Sequence, residues 1–212
     1  MSAKTVLKHN PFAHITVVSS TPLKTQYDNV VVDVSGYKFR HKTDDRLSDA
    51  AYLKLFLPEC LNYKKIIYLD GDTICRGSLE ELNNIDIDYI GICHSHEYGI
   101  KQAEEIGVSM YALDAVMTMD LEALKRIEFT KFAMYAMEHF KFPKTNWYCD
   151  ETILNCCFHD RLKFIDLKWD FCVNRYYHRF NDCISMNNAV ILHFIGGQSE
   201  QQKIYYQKEM KS

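Results

Sequence analysis

Two aspartates, Asp70 and Asp72, flank the single glycine Gly71 directly after the apolar run KKIIYL. Carboxylate oxygens are the ligands that hard divalent cations prefer, and a glycine between the acids allows a tight turn that aims both at one point. Asp-Gly-Asp is also favourable turn chemistry without any ligand. If the run is a strand of a parallel sheet, the acids follow its carboxyl end, where α/β proteins bind ligands. The segment therefore predicts a cation site, with a simple turn as the alternative.

Histidine and cysteine residues offer weaker candidates. His94 and His96 are two residues apart in a predicted strand and share a face, but no third ligand accompanies them, so a polar strand end is favoured. Eight cysteines lie scattered without a C-x-x-C pair, at positions 60, 75, 93, 149, 156, 157, 172 and 183. This spacing favours buried reduced thiols over a disulfide framework, metal ligands or nucleophiles.

The elements that must position these residues alternate between strands and helices. Apolar and β-branched runs predict strands at 14–20, 29–35, 64–70, 88–95 and 110–121, and in LKFIDL and AVILHFIGG. Helical spacing predicts helices at 3–9, 47–60, 121–140 and 147–158, and a short one in SLEELNNI. The alternation predicts one α/β domain over residues 1–212 with a mainly parallel central sheet.

Composition excludes several functional classes. The formal net charge is -3 and the pI is near 6.3, which argues against a nucleic-acid partner. No apolar run approaches the roughly 20 residues of a transmembrane helix, so we expect no transmembrane segment. No secretory apolar region opens the sequence, which together with the scattered cysteines predicts a cytoplasmic location.

Four segments resemble glycosyltransferase family 8, the retaining transferases that include glycogenin and bacterial lipopolysaccharide galactosyl- and glucosyltransferases. YLDGDTICRGSLEEL is similar to the family's D-x-D segment, and LSDAAYLKL to its S-x-x-x-Y-x-R-L helix. CDETILN resembles D-Q-D-I-L-N, and HFIGG resembles the start of H-F-x-G-x-x-K-P-W. Because all four occur in the family's order between residues 47 and 197, the match is far more specific than a lone D-x-D.

The resemblance implies a site and a fold. It implies a GT-A-like nucleotide-diphospho-sugar transferase domain, with Mn²⁺ or another divalent cation held by Asp70, Asp72 and His193. It places Lys54 at a donor-binding arginine, and the glycines at 196 and 197 beside the donor pyrophosphate. Because Gly196 and Gly197 have no side chain, backbone amides there would approach phosphate oxygens closely.

The same resemblance places two acids at the sugar. Asp150 falls on the family aspartate and Glu151 on its glutamine, so both are candidate catalytic residues. An ionised carboxylate at Glu151 would stabilise positive charge on the donor sugar or attack its anomeric carbon. The alternative is that Glu151 only solvates the first turn of its helix, where acids are favoured.

The sequence also departs from the family pattern. The family begins with a strand that helps to hold the uridine, whereas this chain begins at SAKTVLKHNP, inside the following helix, so we expect the sheet to lack that first strand. Leu113 and Ala115 replace an asparagine and a glycine, Ser199 replaces the lysine of K-P-W, and Lys54 lacks the bidentate fork of arginine.

A missing central strand has structural consequences. Either the flanking strands close together, or another chain fills the place, and the second outcome predicts self-association. The tail QQKIYYQKEMKS mixes lysines and tyrosines, which is weak support for peripheral membrane contact.

The leading functional hypothesis is a metal-dependent retaining hexosyltransferase that moves glucose or galactose from a UDP-sugar to a saccharide or glycolipid acceptor, such as lipopolysaccharide. The alternative is a degenerate or truncated family member that acts as a binding or structural protein. A third hypothesis, a haloacid-dehalogenase-type phosphatase, follows from the likeness of DGDTI to D-x-D-x-T. It is disfavoured because that loop normally follows the first strand, whereas about 65 residues precede it here.

Overall fold

The structure, a computed structural model, describes residues 1–37, 39, 49–95, 97–140, 149–173, 185–195 and 199–211. Helices alternate with strands, so the α/β class is confirmed. The helices are α1 (Ser2–His9), α2 (Leu57–Cys60), α3 (Glu80–Asn84), α4 (Glu97–Ile106), α5 (Leu121–Arg126), α6 (Phe129–His139), α7 (Cys149–Cys157) and α8 (Ser199–Lys211). The strands are β1 (Thr16–Ser19), β2 (Asp28–Val31), β3 (Lys65–Leu69), β4 (Thr73–Cys75), β5 (Ile90–His94), β6 (Ala112–Asp120), β7 (Leu162–Phe164), β8 (Phe171–Cys172) and β9 (Ile191–His193).

The largest sheet has the order β3-β6-β5-β7. Strand β6 runs antiparallel to both β3 and β5, and only β5 and β7 are parallel. The expectation of a mainly parallel sheet is therefore corrected to a mixed sheet. Strand β6 follows β5 in the sequence, with only α4 between them, and returns beside β5 in the opposite direction. An antiparallel neighbour does not need the crossover connection that a parallel neighbour needs.

Apolar side chains cover the large sheet on both faces. Ile92 and Met117 belong to a cluster with the helical segments α2, α5, α6 and α7, whereas Cys93 and Val116 belong to a second cluster that includes Trp169. Full burial of one such aliphatic side chain contributes about 1.5–3 kcal/mol to folding. The sheet is thus a rigid layer between two apolar layers, as the continuous apolar runs predict.

Two predicted helices differ from the sequence expectation. Residues Asp49–Phe56 form a 3-10 helix that leads into α2, in place of one α-helix over 47–60, because Pro58 lacks the N–H that would bond to the carbonyl four residues earlier. The predicted helix at 121–140 is divided into α5 and α6 by Glu128, which has a left-handed φ of 51°.

The polar tail forms α8, and no helix of the described residues is long and apolar enough to cross a membrane.

The N-terminal strands form a separate small sheet. Strand β1 pairs only with β2 among the described residues, in parallel, and β3 is the edge of the large sheet. A cavity of about 1010 Å³ lies between them, lined by residues of α1, β1 and β3. In the described ranges, β1 and β3 do not pair with each other across this cavity.

The open edges generate a prediction of self-association, because unpaired strand edges beside apolar surface pair with other chains. We expect sedimentation velocity to show a mass that increases with protein concentration. Val17→Lys, in the cavity wall on β1, should shift the protein toward monomer, since a charge blocks edge pairing. Leu23→Lys, at an exposed loop position, should not. A parent protein that stays monomeric at every concentration would contradict the prediction.

Candidate active site

The predicted metal ligands come together. Asp70 follows β3 and its N–H donates to the carbonyl of Ala115 on β6 at 2.8 Å. Strand β4 begins directly after Asp72, and its Thr73 pairs with His193 on β9. As a result, one ligand atom from each of Asp70, Asp72 and His193 lies within 4.8 Å of the others.

A buried aspartate that the sequence argument missed orients His193. The Nδ1–H of His193 donates to Asp170 Oδ1 at 2.9 Å, which leaves Nε2 facing Asp72 Oδ1 at 3.6 Å. Burial would lower the pKa of His193, but the Asp170 carboxylate outweighs it and raises that pKa well above its usual value. The available signal was an acid in the apolar segment KWDFC, directly before β8.

The three side chains fit a divalent cation. Asp72 Oδ1 is buried and has no hydrogen-bond partner in the part of the chain that the structure describes. Partial burial raises the pKa of Asp72, His193 lowers it, and the nearby Asp70 raises it further. Two carboxylates beside one imidazole are a donor set that suits Mn²⁺, which accepts oxygen and nitrogen ligands.

Lys54 connects the metal ligands to the predicted catalytic acids. Its Nζ lies 3.0 Å from Asp114 Oδ1, 3.0 Å from Asp150 Oδ2 and 3.7 Å from Asp70 Oδ1. Burial would lower the pKa of this amine, but the surrounding carboxylates, Asp114 first, raise it well above its usual value. The Lys54 side chain is only 3% exposed, so its ammonium is removed from water and is stabilised by the surrounding carboxylates.

Asp114 is a second acid that the sequence argument missed. Between β5 and β6 the register shifts, since Ile92 pairs with Met117 whereas Cys93 pairs with Leu113. The extra residues of β6 form a bulge, and bulges redirect side chains next to functional sites. Asp114 lies in this bulge, and its Oδ2 is buried without a hydrogen-bond partner in the described ranges. An acid inside the mainly apolar run ALDAVM was the available signal.

Helix α7 is fixed to β6 by one side chain. The buried Asn155 accepts from the N–H of Ala112 at 2.7 Å, and its Nδ2 donates to the carbonyls of Ala112 at 3.0 Å and Glu151 at 2.9 Å. The asparagine of the DETILN segment thus ties the first turn of α7 to the sheet. That turn carries Asp150 and Glu151 into the site.

Glu151 is buried rather than solvated. Burial, followed by Asp114 and Asp150, raises its pKa well above the usual value, while Lys54 and a hydrogen bond from Tyr111 act in the opposite direction. A helix-end acid that only contacts solvent would not have these neighbours. The geometry therefore places Glu151 among the other acids of the site.

Several residues that the sequence singles out are not part of this site as the structure describes it. Gly196, Gly197 and His96 lie outside the described residues. The cysteines that the structure describes form no disulfide, and burial raises the pKa of Cys156 to about 11 and of Cys157 to about 12. The prediction of buried reduced thiols is confirmed for Cys75, Cys93 and Cys172, whereas Cys60 and Cys157 are half-buried and Cys156 is exposed.

The raised pKa of Glu151 generates a stability prediction. Because the folded protein binds this proton more tightly than the unfolded chain does, its stabilising effect is fully present below the ordinary glutamate pKa of 4.5. The effect is lost as the pH rises through the raised value. Glu151→Gln removes this titration, so we expect the variant to gain stability over the parent by on the order of 1 kcal/mol as the pH rises from about 4.5 to about 8.

Urea unfolding across this pH range measures the difference. The matched control is Glu104→Gln at an exposed position on α4, which should track the parent at every pH. A Glu151→Gln curve parallel to that of the parent would show that Glu151 is not held in its neutral form.

Several known glycosyltransferases are similar to this chain. GlyB, a glycosyltransferase of Streptococcus pneumoniae serotype 4, is 30% identical over 145 residues, which are 68% of this chain and 33% of GlyB. A crystal structure of the galactosyltransferase LgtC, in complex with donor and acceptor sugar analogues, matches with a TM-score of 0.74 at 19% identity. That match covers 92% of this chain and 82% of LgtC.

A further solved structure, the glycosyltransferase GlyE of Streptococcus pneumoniae, has a TM-score of 0.72 at 16% identity and covers 98% of this chain and 56% of GlyE. At these identities the solved structures establish the fold, and the expected GT-A-like domain is confirmed. The chain spans only a third of the length of its relative GlyB. The model of the family described as "Glycosyl transferase family 8" matches residues 3–199. Since that match spans most of the sequence, the chain belongs to glycosyltransferase family 8.

Proposed function

We propose that the protein is a metal-dependent, retaining hexosyltransferase that transfers glucose or galactose from a UDP-sugar to a saccharide or glycolipid acceptor. The observation that supports this proposal is that Lys54 contacts both groups of acids in the site. Its ammonium contacts Asp70 of the predicted metal set and Asp150 of the predicted catalytic pair. A nucleotide-sugar transferase needs these two groups side by side, since one faces the diphosphate and the other the sugar.

Asp70, Asp72 and His193 would hold the cation, with Mn²⁺ the proposed metal. When bound, it supplies a Lewis acid that neutralises charge on the departing diphosphate. Asp170 keeps the His193 ring in one orientation, so that Nε2 remains available on the Asp72 side.

The large cavity is the proposed donor pocket. Lys54, Tyr68 and Gly71 line it, so it extends from the D-x-D turn into the space between α1, β1 and β3. Its volume of about 1010 Å³ lies at the upper end of ordinary ligand pockets. Within it, the hydroxyl of Tyr68 donates to Asp70 Oδ1, which fixes that carboxylate.

Glu151 is the proposed group on the sugar. As a carboxylate it would stabilise the developing positive charge at the anomeric carbon, or attack that carbon with departure of UDP. Either role requires loss of its proton, so the buried neutral form must ionise during turnover. Asp150 stays paired with Lys54 in the structure and is the second carboxylate of this proposal.

The alternative, a degenerate binding or structural protein, keeps one supporting observation. The cavity between β1 and β3 leaves the proposed base pocket without a central strand. Titration calorimetry with UDP, in the presence and absence of Mn²⁺, distinguishes the two hypotheses. A transferase should bind UDP more tightly with the metal, whereas a degenerate protein should show no metal-dependent binding.

The first functional prediction concerns Asp72. Asp72→Asn should abolish the metal-dependent part of the UDP affinity, because a neutral amide is a weak ligand for a hard cation. The fold should persist, since the Asp72 side chain is 43% exposed. Circular dichroism checks the fold and calorimetry the affinity. Asp88→Asn, at an exposed loop position, is the matched control. Equal metal-dependent affinities in the Asp72 variant and the parent would contradict the metal site.

The second functional prediction concerns Glu151. Glu151→Gln should lower turnover on the order of 100-fold with little change in donor affinity, because only interactions that strengthen in the transition state accelerate the chemical step. Parent turnover should increase with pH as Glu151 ionises, and that increase should be absent from the variant. The measurement is UDP release with and without acceptor, compared with Glu104→Gln. Turnover of the Gln variant within about twofold of the parent would leave Asp150 as the remaining carboxylate candidate.

A further inference from the structure

Helix α8 is docked beside the metal site rather than extending into solvent as a tail. The ring of Tyr205 lies 5.5 Å from the ring of Phe194, which follows β9. One turn further along the helix, Glu209 lies 2.6 Å from His9 Nε2 and 3.8 Å from Arg76 Nε. These contacts hold the helix against α1, β4 and β9 at two separate points.

A third contact enters the D-x-D turn itself. Gln202 is only 5% exposed, and its Nε2 donates to the carbonyl of Gly71 at 3.0 Å and to that of Thr73 at 3.4 Å. One side-chain amide therefore binds the two carbonyls that flank Asp72. The carbonyl of Asp72 accepts from the N–H of Phe194 at 3.0 Å. All three backbone carbonyls of residues 71–73 are thus oriented by hydrogen bonds.

Gln202 adds to hydrogen bonds within the turn, where the N–H and the Oγ1 hydroxyl of Thr73 donate to the carbonyl of Asp70 at 3.3 Å and 2.8 Å. Gly71 does not have a positive φ, and a Cβ added to it would meet no atom within 4 Å. A turn at this position therefore does not require glycine, because neither the backbone angle nor the space demands it. Glycine has more accessible backbone conformations than other residues, and a different conformation here would turn the Asp72 carboxylate away from His193.

We propose that Gln202 is a positioning residue for the cation site, acting through the carbonyls of Gly71 and Thr73 to keep Asp72 directed at His193. This inference rests on the proposed metal-dependent function. Gln202 touches neither the cation ligands' side chains nor the sugar-side acids in the described structure, so its effect is on geometry. Groups that orient metal ligands typically change metal affinity by about 10- to 100-fold when they are removed.

The test compares one substitution at two positions of the same helix. Gln202→Met keeps a flexible side chain of similar length but removes both donated hydrogen bonds. Gln207→Met makes the same change at an exposed position of α8. Because Tyr205 and Glu209 hold the helix independently, both variants should remain folded, with thermal midpoints within about 5 °C of the parent.

Two readouts separate positioning from a merely structural role. The first is the affinity for Mn²⁺ in the presence of UDP, followed by the electron paramagnetic resonance signal of the free ion. The second is hydrogen exchange, by mass spectrometry, of the peptide that covers residues 70–75, which needs no ligand. We expect Gln202→Met to weaken Mn²⁺ binding about tenfold and to accelerate exchange in that peptide alone. Gln207→Met should match the parent in both measurements.

The outcomes are distinct. Mn²⁺ affinity of Gln202→Met within twofold of the parent overturns the inference while the proposed function stands. An equal loss in Gln207→Met also overturns it, since the effect would then belong to the helix in general. A parent protein that binds no Mn²⁺ with UDP overturns the proposed function, and the inference with it.

Discussion

The site depends on one buried ammonium group. Lys54 lies between Asp114 and Asp150 and within reach of Asp70, and each of these acids belongs to a different element of the fold. A charge removed from water requires close counter-charges, and carboxylates gathered this closely require a cation. The packing of the 3-10 helix against α7 is therefore linked to the electrostatics of the site.

The carboxyl groups around Lys54 outnumber its single positive charge. This excess of negative charge determines the protonation chemistry of the site. Burial, together with the negative charges of Asp114 and Asp150, raises the pKa of Glu151, and burial likewise raises the pKa of Asp114. A divalent cation at Asp70 and Asp72 would add positive charge at one end of the same network. Asp70 and Asp150 are thus connected electrostatically through the ammonium of Lys54.

Strand pairing determines where these charges meet. Because β6 runs antiparallel between β3 and β5, its bulge lies beside the carboxyl end of β3, and Asp114 comes next to the D-x-D turn. The small sheet brings His193 to the same turn through the pairing of β4 with β9. Three elements that are distant in sequence, namely β3, β6 and β9, therefore share one edge of the molecule, and α8 closes the turn from the outside through Gln202.

The sequence by itself determined the α/β class, and its resemblance to short family motifs predicted that Asp70, Asp72 and His193 lie together, because apolar runs and short motifs are local signals. It also indicated Lys54, Asp150 and Glu151. It did not indicate the mixed sheet, since the direction of a strand depends on which neighbour it pairs with and not on its own residues. Asp114, Asp170 and Gln202 were missed for the same reason. Each is an ordinary polar residue whose role arises only when a bulge, a second strand or a docked helix places it against the site, and only the tertiary structure decides that.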